Sequence, residues 1–298
     1  MHLLRSWLSV GTLIGLILVA WSESRAQPTV YVVNYPLQYF AERIGGTEIK
    51  VVFPAPVDED PAFWRPNVSA IVGFQGADLI LINGATYAKW LKTASLPKSK
   101  VVNTSKGFEA DFISVEDAAV HTHGPTGDHS HAGTAFTTWL DFRQAAQQAL
   151  AVLEALSRLL PDQRSVFEQR YAELEKDLLL LDDRLESAVA GRVSQPLVAS
   201  HPVYQYLARR YGLNIRSVLW EPEVMPEEAG WQELADILSS HEAAWMMWEG
   251  DPLPASVERL QSLGVRSLVF DPCGNRPSEG DFLDVMQRNV DQLGQAFQ

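Results

Sequence analysis

Two stretches of this chain, 30–104 and 197–271, pass through the same elements in the same order at nearly the same spacing. In the first, short apolar runs at 30–33, 49–53, 79–82 and 100–102 alternate with amphipathic stretches. In the second, the runs fall at 197–199, 215–220, 244–248 and 268–270. Alternation of this kind is the pattern of a parallel sheet with crossover helices. Asn34-Tyr35-Pro36 opens one helix and Ser200-His201-Pro202 the other. Asn34 to Asn83 is 49 positions, and so is Ser200 to Glu249; Asn83 to Thr104 is 21, and Glu249 to Asp271 is 22. Such spacing predicts two similar α/β lobes with mainly parallel sheets, over 27–141 and 195–298.

A helical segment, 142–194, lies between them. Phe167, Tyr171, Leu174, Leu178, Leu181 and Leu185 repeat at alternating intervals of four and three, which puts them on one face of a helix. Pro161 and Asp162 supply start signals and Gly191 a stop, so a long helix is expected over about 162–190. It would serve as a rigid strut along both lobes; the competing use of such a stripe is a dimer seam.

Ahead of the first lobe, Arg5 precedes an apolar run of about 15 residues, too short for the roughly 20 that span a bilayer. Small residues at Ser24 and Ala26 fit a cleavage site, so 1–26 is expected to be a signal peptide and the mature protein periplasmic. No Cys follows the run to carry a lipid.

Charge narrows the ligand. The chain has 37 Asp and Glu against 24 Lys and Arg, a formal net charge of −13. No nucleic-acid partner is expected, because phosphate binding needs a basic face; the acidic field attracts cations instead. A lone cysteine, Cys273, excludes an internal disulfide framework and any CxxC zinc site. A metal would have to be held by His and carboxylates.

In open parallel sheets ligands sit beyond the carboxyl ends of strands. The repeat puts His201, Glu221, Glu249 and Asp271 there in the second lobe, and Asn34, Tyr35, the 54–56 turn, Asn83 and Thr104 in the first. One imidazole and three carboxylates suit a divalent cation. Glu221 and Glu249 are weaker candidates than His201 and Asp271, since both also suit capping or inter-lobe contacts. The segment 121–131, HTHGPTGDHSH, holds four of the seven histidines, His121, His123, His129 and His131. Its Gly124, Pro125 and Gly127 predict a flexible loop, and its imidazoles a metal collector. Tyr35, Trp64, Thr137, Trp139 and Trp220 are expected to line the cleft. With Trp90, Trp245 and Trp248, these tryptophans form either core packing or a surface for stacking an organic ligand.

The signal sequence, the two lobes, the joining helix, the His-rich segment and the strings SHPVYQYLARRYGL (200–213), TTWLD (137–141) and FDP (270–272) together resemble one family. Across the whole mature chain the sequence is similar to the zinc- and manganese-type solute-binding receptors of bacterial ABC importers (ZnuA-like, TroA-like). The resemblance implies a monomeric receptor rather than an enzyme. Such a receptor takes a divalent ion, here Zn2+, between its lobes and passes it to the importer's permease. The stiff helix limits lobe movement. The resemblance makes His201 and Asp271 metal ligands. Two positions depart from it. Ala62 stands where an Asp-Pro-His phrase would have its His, and Thr137 stands where a His would precede Trp139. Both first-lobe imidazoles are therefore missing. The expectation is a compensated site in which His129 and/or His131 join His201 and Asp271 around tetrahedral zinc, with His121 and His123 as a capture pair. A receptor for a metal chelate or small organic solute is a second reading. A secreted zinc hydrolase, with Glu249 as general base, is a third.

Overall fold

The computed structural model describes residues 26–115, 120–122, 128–130, 133–192 and 194–298. The expected leader, apart from Ala26, lies outside the described residues, as do His123 and His131. No helix among the described residues is long and apolar enough to cross a membrane.

The first lobe runs β1 (Thr29–Val32), α1 (Tyr35–Gly45), β2 (Lys50–Val52), α2 (Val68–Gly76), β3 (Leu79–Ile82) and β4 (Val101–Asn103). Its strands are all parallel in the order β2-β1-β3-β4. β5 (Ser114–Val115) and β8 (Gly133–Thr134) pair antiparallel, as do β6 (Val120–Thr122) and β7 (Asp128–Ser130). The expected loop at 121–131 is thus in part a hairpin, with His121 opposite His129. Val, Thr, His and Ser are compatible with extended backbone, and the turn signals of the segment fall between the two strands.

Two long helices follow, α3 (Phe142–Leu159) and α4 (Arg164–Val189). The second lobe runs β9 (Pro196–Ala199), α5 (Gln205–Tyr211), β10 (Asn214–Ser217), α6 (Glu228–Ser240), β11 (Trp245–Trp248), α7 (Pro254–Ser262), β12 (Arg266–Val269) and α8 (Phe282–Ala296). Its sheet is again all parallel, in the order β10-β9-β11-β12. The repeat read from spacing is therefore a repeat of topology. Even the stop signals correspond. Gly46 (φ 55°) and Gly212 (φ 68°) follow α1 and α5, where the left-handed backbone favours glycine.

Helix α4 starts two residues later than its pattern predicts, because Pro161–Gln163 form a separate 3-10 turn. Phe167, Leu174, Leu178, Leu181 and Leu185 are buried, while Tyr171 is partly exposed and its hydroxyl donates to Glu175 at 2.7 Å. The stripe is covered within the chain, packing on α1 of the first lobe, on α3, and on α5 and α8 of the second lobe. Each such burial contributes roughly 1.5–3 kcal/mol. One buried position of α4 is not apolar. Asp182, 1 % exposed, accepts from Arg143 of α3 (2.8 Å) and from Arg210 (2.6 Å) and Tyr211 (2.9 Å) of α5. This carboxylate ties the strut to both lobes.

Candidate metal centre

With strand order β10-β9-β11-β12, the topological switch lies between β9 and β11, where the crevice of an open parallel sheet forms. Ser200 and His201 leave β9 there, and Glu249 leaves β11. The Ser200 amide donates to the Met247 carbonyl (2.8 Å) and the Trp220 amide to the Ser200 carbonyl (2.7 Å), which draws the ends of β9, β10 and β11 together. Helix α5 begins only at Gln205, so His201 is not spent as its cap. In the first lobe α1 begins at Tyr35, and the Asn34 side chain caps it by accepting from the Leu37 amide at 3.2 Å.

His201 is 1 % exposed. Its Nδ1 lies 3.5 Å from Glu249 Oε1 and 3.9 Å from Glu221 Oε1. One donor atom from each of the three falls within 4.8 Å of the others. Ligand atoms around tetrahedral zinc stand about 3.3 Å apart when the bonds are ~2.0–2.1 Å, so small side-chain shifts would enclose an ion. Burial pushes the Glu249 carboxyl well above its ordinary range, and the Glu221 and then Asp60 charges push it further. Crowding like charges in this way is unfavourable unless a cation or a proton offsets it.

The cleft between the lobes holds about 920 Å³. The first lobe contributes Asp58, Glu59 and Asp60; the second contributes Glu221, Glu223, Glu249 and Asp271. Asp271 lines the cleft but is not among the three converging donors. Its Oδ1 accepts from the Cys273 amide (2.6 Å), and its backbone is held by Asn289 of α8 (3.1 and 2.7 Å). Burial raises its pKa, and the Cys273 amide offsets part of the rise.

Of the residues expected at the cleft, Thr137 and Trp139 are among those that line it, and Tyr35, Trp64 and Trp220 are packed elsewhere. Those three belong to the core: Trp64 stands edge-on to Trp90 at 6.4 Å, Trp220 lies 4.6 Å from Trp231, and Tyr35 is 9 % exposed. Phe63, Tyr87 and Phe136 form the aromatic wall instead. They come from irregular segments, where no periodicity marks which way a ring points. Ala62 is fully buried, and the Thr137 hydroxyl donates to the Val203 carbonyl across the lobes. His121 and His129 stand opposite each other on β6 and β7, and His123 and His131 lie outside the described residues. Asp60 went unmarked in the sequence, although the repeat supplies a signal for it: after Val57, the acidic run 58–60 follows the 54–56 turn, the counterpart of Glu221.

The first lobe is sealed at the equivalent place. Asn83 there receives Asn34 Nδ2 (3.2 Å) and Gln148 Nε2 (3.0 Å), and donates to the Phe136 carbonyl (3.0 Å). Gln148 also donates to Thr104 (3.1 Å) and Ser105 (3.2 Å), and Thr138 donates to Gln148 (3.1 Å). All are buried. Among the described residues one other carboxylate group could converge on an ion, Asp182, Asp183 and Glu186, but its buried member is already occupied by two arginines and a tyrosine.

A family model described as "Zinc-uptake complex component A periplasmic" (ZnuA) matches residues 30–296. The zinc-binding lipoprotein AdcA of Streptococcus pneumoniae is 24 % identical over 303 residues, covering 97 % of this chain and 60 % of AdcA. This chain thus spans about three-fifths of that relative's length. The high-affinity zinc uptake system protein ZnuA of Yersinia pestis is 21 % identical over 290 residues, covering 90 % of each chain. Among solved structures, the metal-dependent lipoprotein YcdH of Bacillus subtilis superposes with a TM-score of 0.76 at 20 % identity, covering 91 % of this chain and 100 % of the other.

Proposed function

This chain belongs to the ZnuA family, and on that premise we propose that it is a periplasmic receptor that captures a divalent metal ion, zinc foremost, between its lobes and delivers it to the permease of an ABC importer. It binds and releases; it performs no chemistry on the ion. The observation that carries the reading is the buried imidazole of His201 facing two carboxylates at the switch point of the second sheet, inside an acidic inter-lobe cleft. Imidazole and carboxylate donors together suit first-row divalent ions. The histidines of 121–131 act as a collector that raises the local ion concentration.

The lobes stay close throughout. Tyr206 Oη donates to the Ala135 carbonyl (3.0 Å), and Trp139 Nε1 to the Pro272 carbonyl (2.7 Å). Asn275 Nδ2 donates to the Pro56 (2.6 Å) and Glu59 (2.8 Å) carbonyls. With α4 rigid along both, loading proceeds by small shifts of the cleft walls rather than a wide hinge. Metal content per mole of purified mature protein tests the reading. Close to one zinc per chain is expected, falling to near zero in His201→Ala. A wild-type protein that retains no divalent ion after exposure to micromolar zinc would overturn it.

One observation favours a second reading. A cleft of about 920 Å³ walled by Phe63, Tyr87, Phe136 and Trp139 is far larger than an ion needs and falls in the size range of organic-ligand sites. Under that reading the cargo is a metal chelate or a small organic solute, and native mass spectrometry of the purified protein would retain a mass beyond that of the metal.

A further inference from the structure

We propose that the ion is held by second-lobe residues alone, by the His201 imidazole together with the Glu221 and Glu249 carboxylates, and that Asp60 supplies the facing negative charge from the first lobe. This rests on the receptor reading and assigns its ligands. The sequence pattern instead led toward Asp271 and the histidines of 121–131.

Three observations carry the assignment. The first is convergence: donor atoms of His201, Glu221 and Glu249 lie within 4.8 Å of one another, with Nδ1 at 3.5 and 3.9 Å from the two carboxylates. The second is the contrast between the lobes. Tyr35 and Asn83 hold the positions corresponding to His201 and Glu249. Tyr35 is packed into the core, and Asn83 is saturated by Asn34, Gln148 and the Phe136 carbonyl. The same topological position is neutral and closed in one lobe, acidic and open to the cleft in the other. The third is the position of Asp271, which lines the cleft but stands outside the converging group.

The missing first-lobe imidazoles then have a simple consequence. Ala62 is buried and the Thr137 hydroxyl is tied to the Val203 carbonyl, so the ion is drawn toward the second lobe, where one nitrogen and two carboxylates already meet. Water completes four-coordination, and a shell of this composition is open to zinc and to the harder manganese alike.

Isothermal titration of the mature full-length chain with zinc tests it, using wild type, Glu221→Gln, Glu249→Gln, Asp60→Asn, a deletion of 121–131, and Asp183→Asn as a control at the other acidic cluster. Glu221→Gln and Glu249→Gln should each weaken binding by at least ~100-fold, at or beyond the 10–100-fold that loss of an outer-shell partner causes. Asp60→Asn should weaken it by about 10-fold, at the low end of that range. The loop deletion should leave the dissociation constant unchanged, because the proposed shell contains no residue of 121–131. Glu221→Asp and Glu249→Asp keep the charge and withdraw the donor atom, which separates ligation from charge; each should bind more weakly than wild type while melting at a similar temperature. If both Gln variants bind zinc as wild type does, or if only the loop deletion abolishes binding, the assignment is overturned and the shell returns to His129 and His131. If wild type itself binds no divalent ion, the receptor reading fails, a result distinct from either of these.

Discussion

At the scale of single residues, the protein uses the same polar positions for opposite ends. Gln148 is fully spent in the first lobe, bridging Asn83, Thr104, Ser105 and Thr138 in a buried network. Gln148→Leu would leave four buried groups without that partner, and at about 1–3 kcal/mol for each unsatisfied group the variant should lose at least ~2 kcal/mol of stability. Urea unfolding of the metal-free protein, read by far-ultraviolet circular dichroism, measures the loss. Glu249 behaves the other way. Its charge is disfavoured by burial and by Glu221 and Asp60, so Glu249→Gln should raise the melting temperature of the metal-free protein at neutral pH, by roughly 2 °C or more if the gain is about 1 kcal/mol. A melt in EDTA that shows no rise or a fall would contradict the crowding. The repeat made Glu221, Glu249 and His201 legible as strand-end residues, because position along a parallel strand is fixed by sequence spacing. Gln148 was not legible. It sits on a helix among other glutamines, and only tertiary packing distinguishes a buried amide from a solvated one.

The long helix is the element on which lobe geometry depends. Its apolar stripe was readable as helical periodicity, and the chain itself covers it: α1 and α3 on one side, α5 and α8 on the other. The polar member of the buried face was not readable, since Asp182 occurs in the run Leu181-Asp182-Asp183-Arg184, which looks like an ordinary solvated turn. Burial raises the Asp182 carboxyl, but hydrogen bonds from Arg210, Arg143 and Tyr211 outweigh it, and the net shift is downward. Asp182→Ala would leave Arg210 in a partly buried site without its main partner and unpin both lobes, and about 3–5 kcal/mol of destabilisation is expected for breaking such a pair. Double-mutant cycles with Arg143→Met and Arg210→Met should give coupling energies of opposite reach, one reporting the first lobe's hold on the strut and the other the second's. If the two arginines couple to Asp182 no more than an exposed pair does, ~0.2–1 kcal/mol, the helix is held by its apolar stripe alone.

For the whole molecule, acid acts on two sets of carboxylates with opposite signs. Glu249, Asp271 and Asp141 have folded-state pKa values raised mainly by burial, so the folded chain binds protons more readily than the unfolded chain. For these groups stability increases as pH falls from neutral toward the ordinary carboxylate range. Asp182 is depressed in the folded state; its contribution is present above the ordinary aspartate value and is lost as pH falls through the lower folded one. The metal-free protein should therefore melt at a higher temperature near pH 5 than near pH 7.5, and lose stability steeply below about pH 4 as carboxylates such as Asp182 are protonated. Zinc reverses the upper arm. With the proposed ligands the ion needs His201 neutral and Glu221 and Glu249 ionised, so it competes with the protons that favour the metal-free fold. The gain in melting temperature on adding zinc should then be largest near pH 7.5 and shrink toward pH 5. In His201→Ala it should be small at every pH, while the metal-free pH dependence, which arises from the carboxylates, persists. Parallel melts with EDTA and with excess zinc across pH 4–8 separate the two curves. A zinc-induced shift that stays constant over that range would mean the ion does not compete with these protons, and would place it away from His201, Glu221 and Glu249.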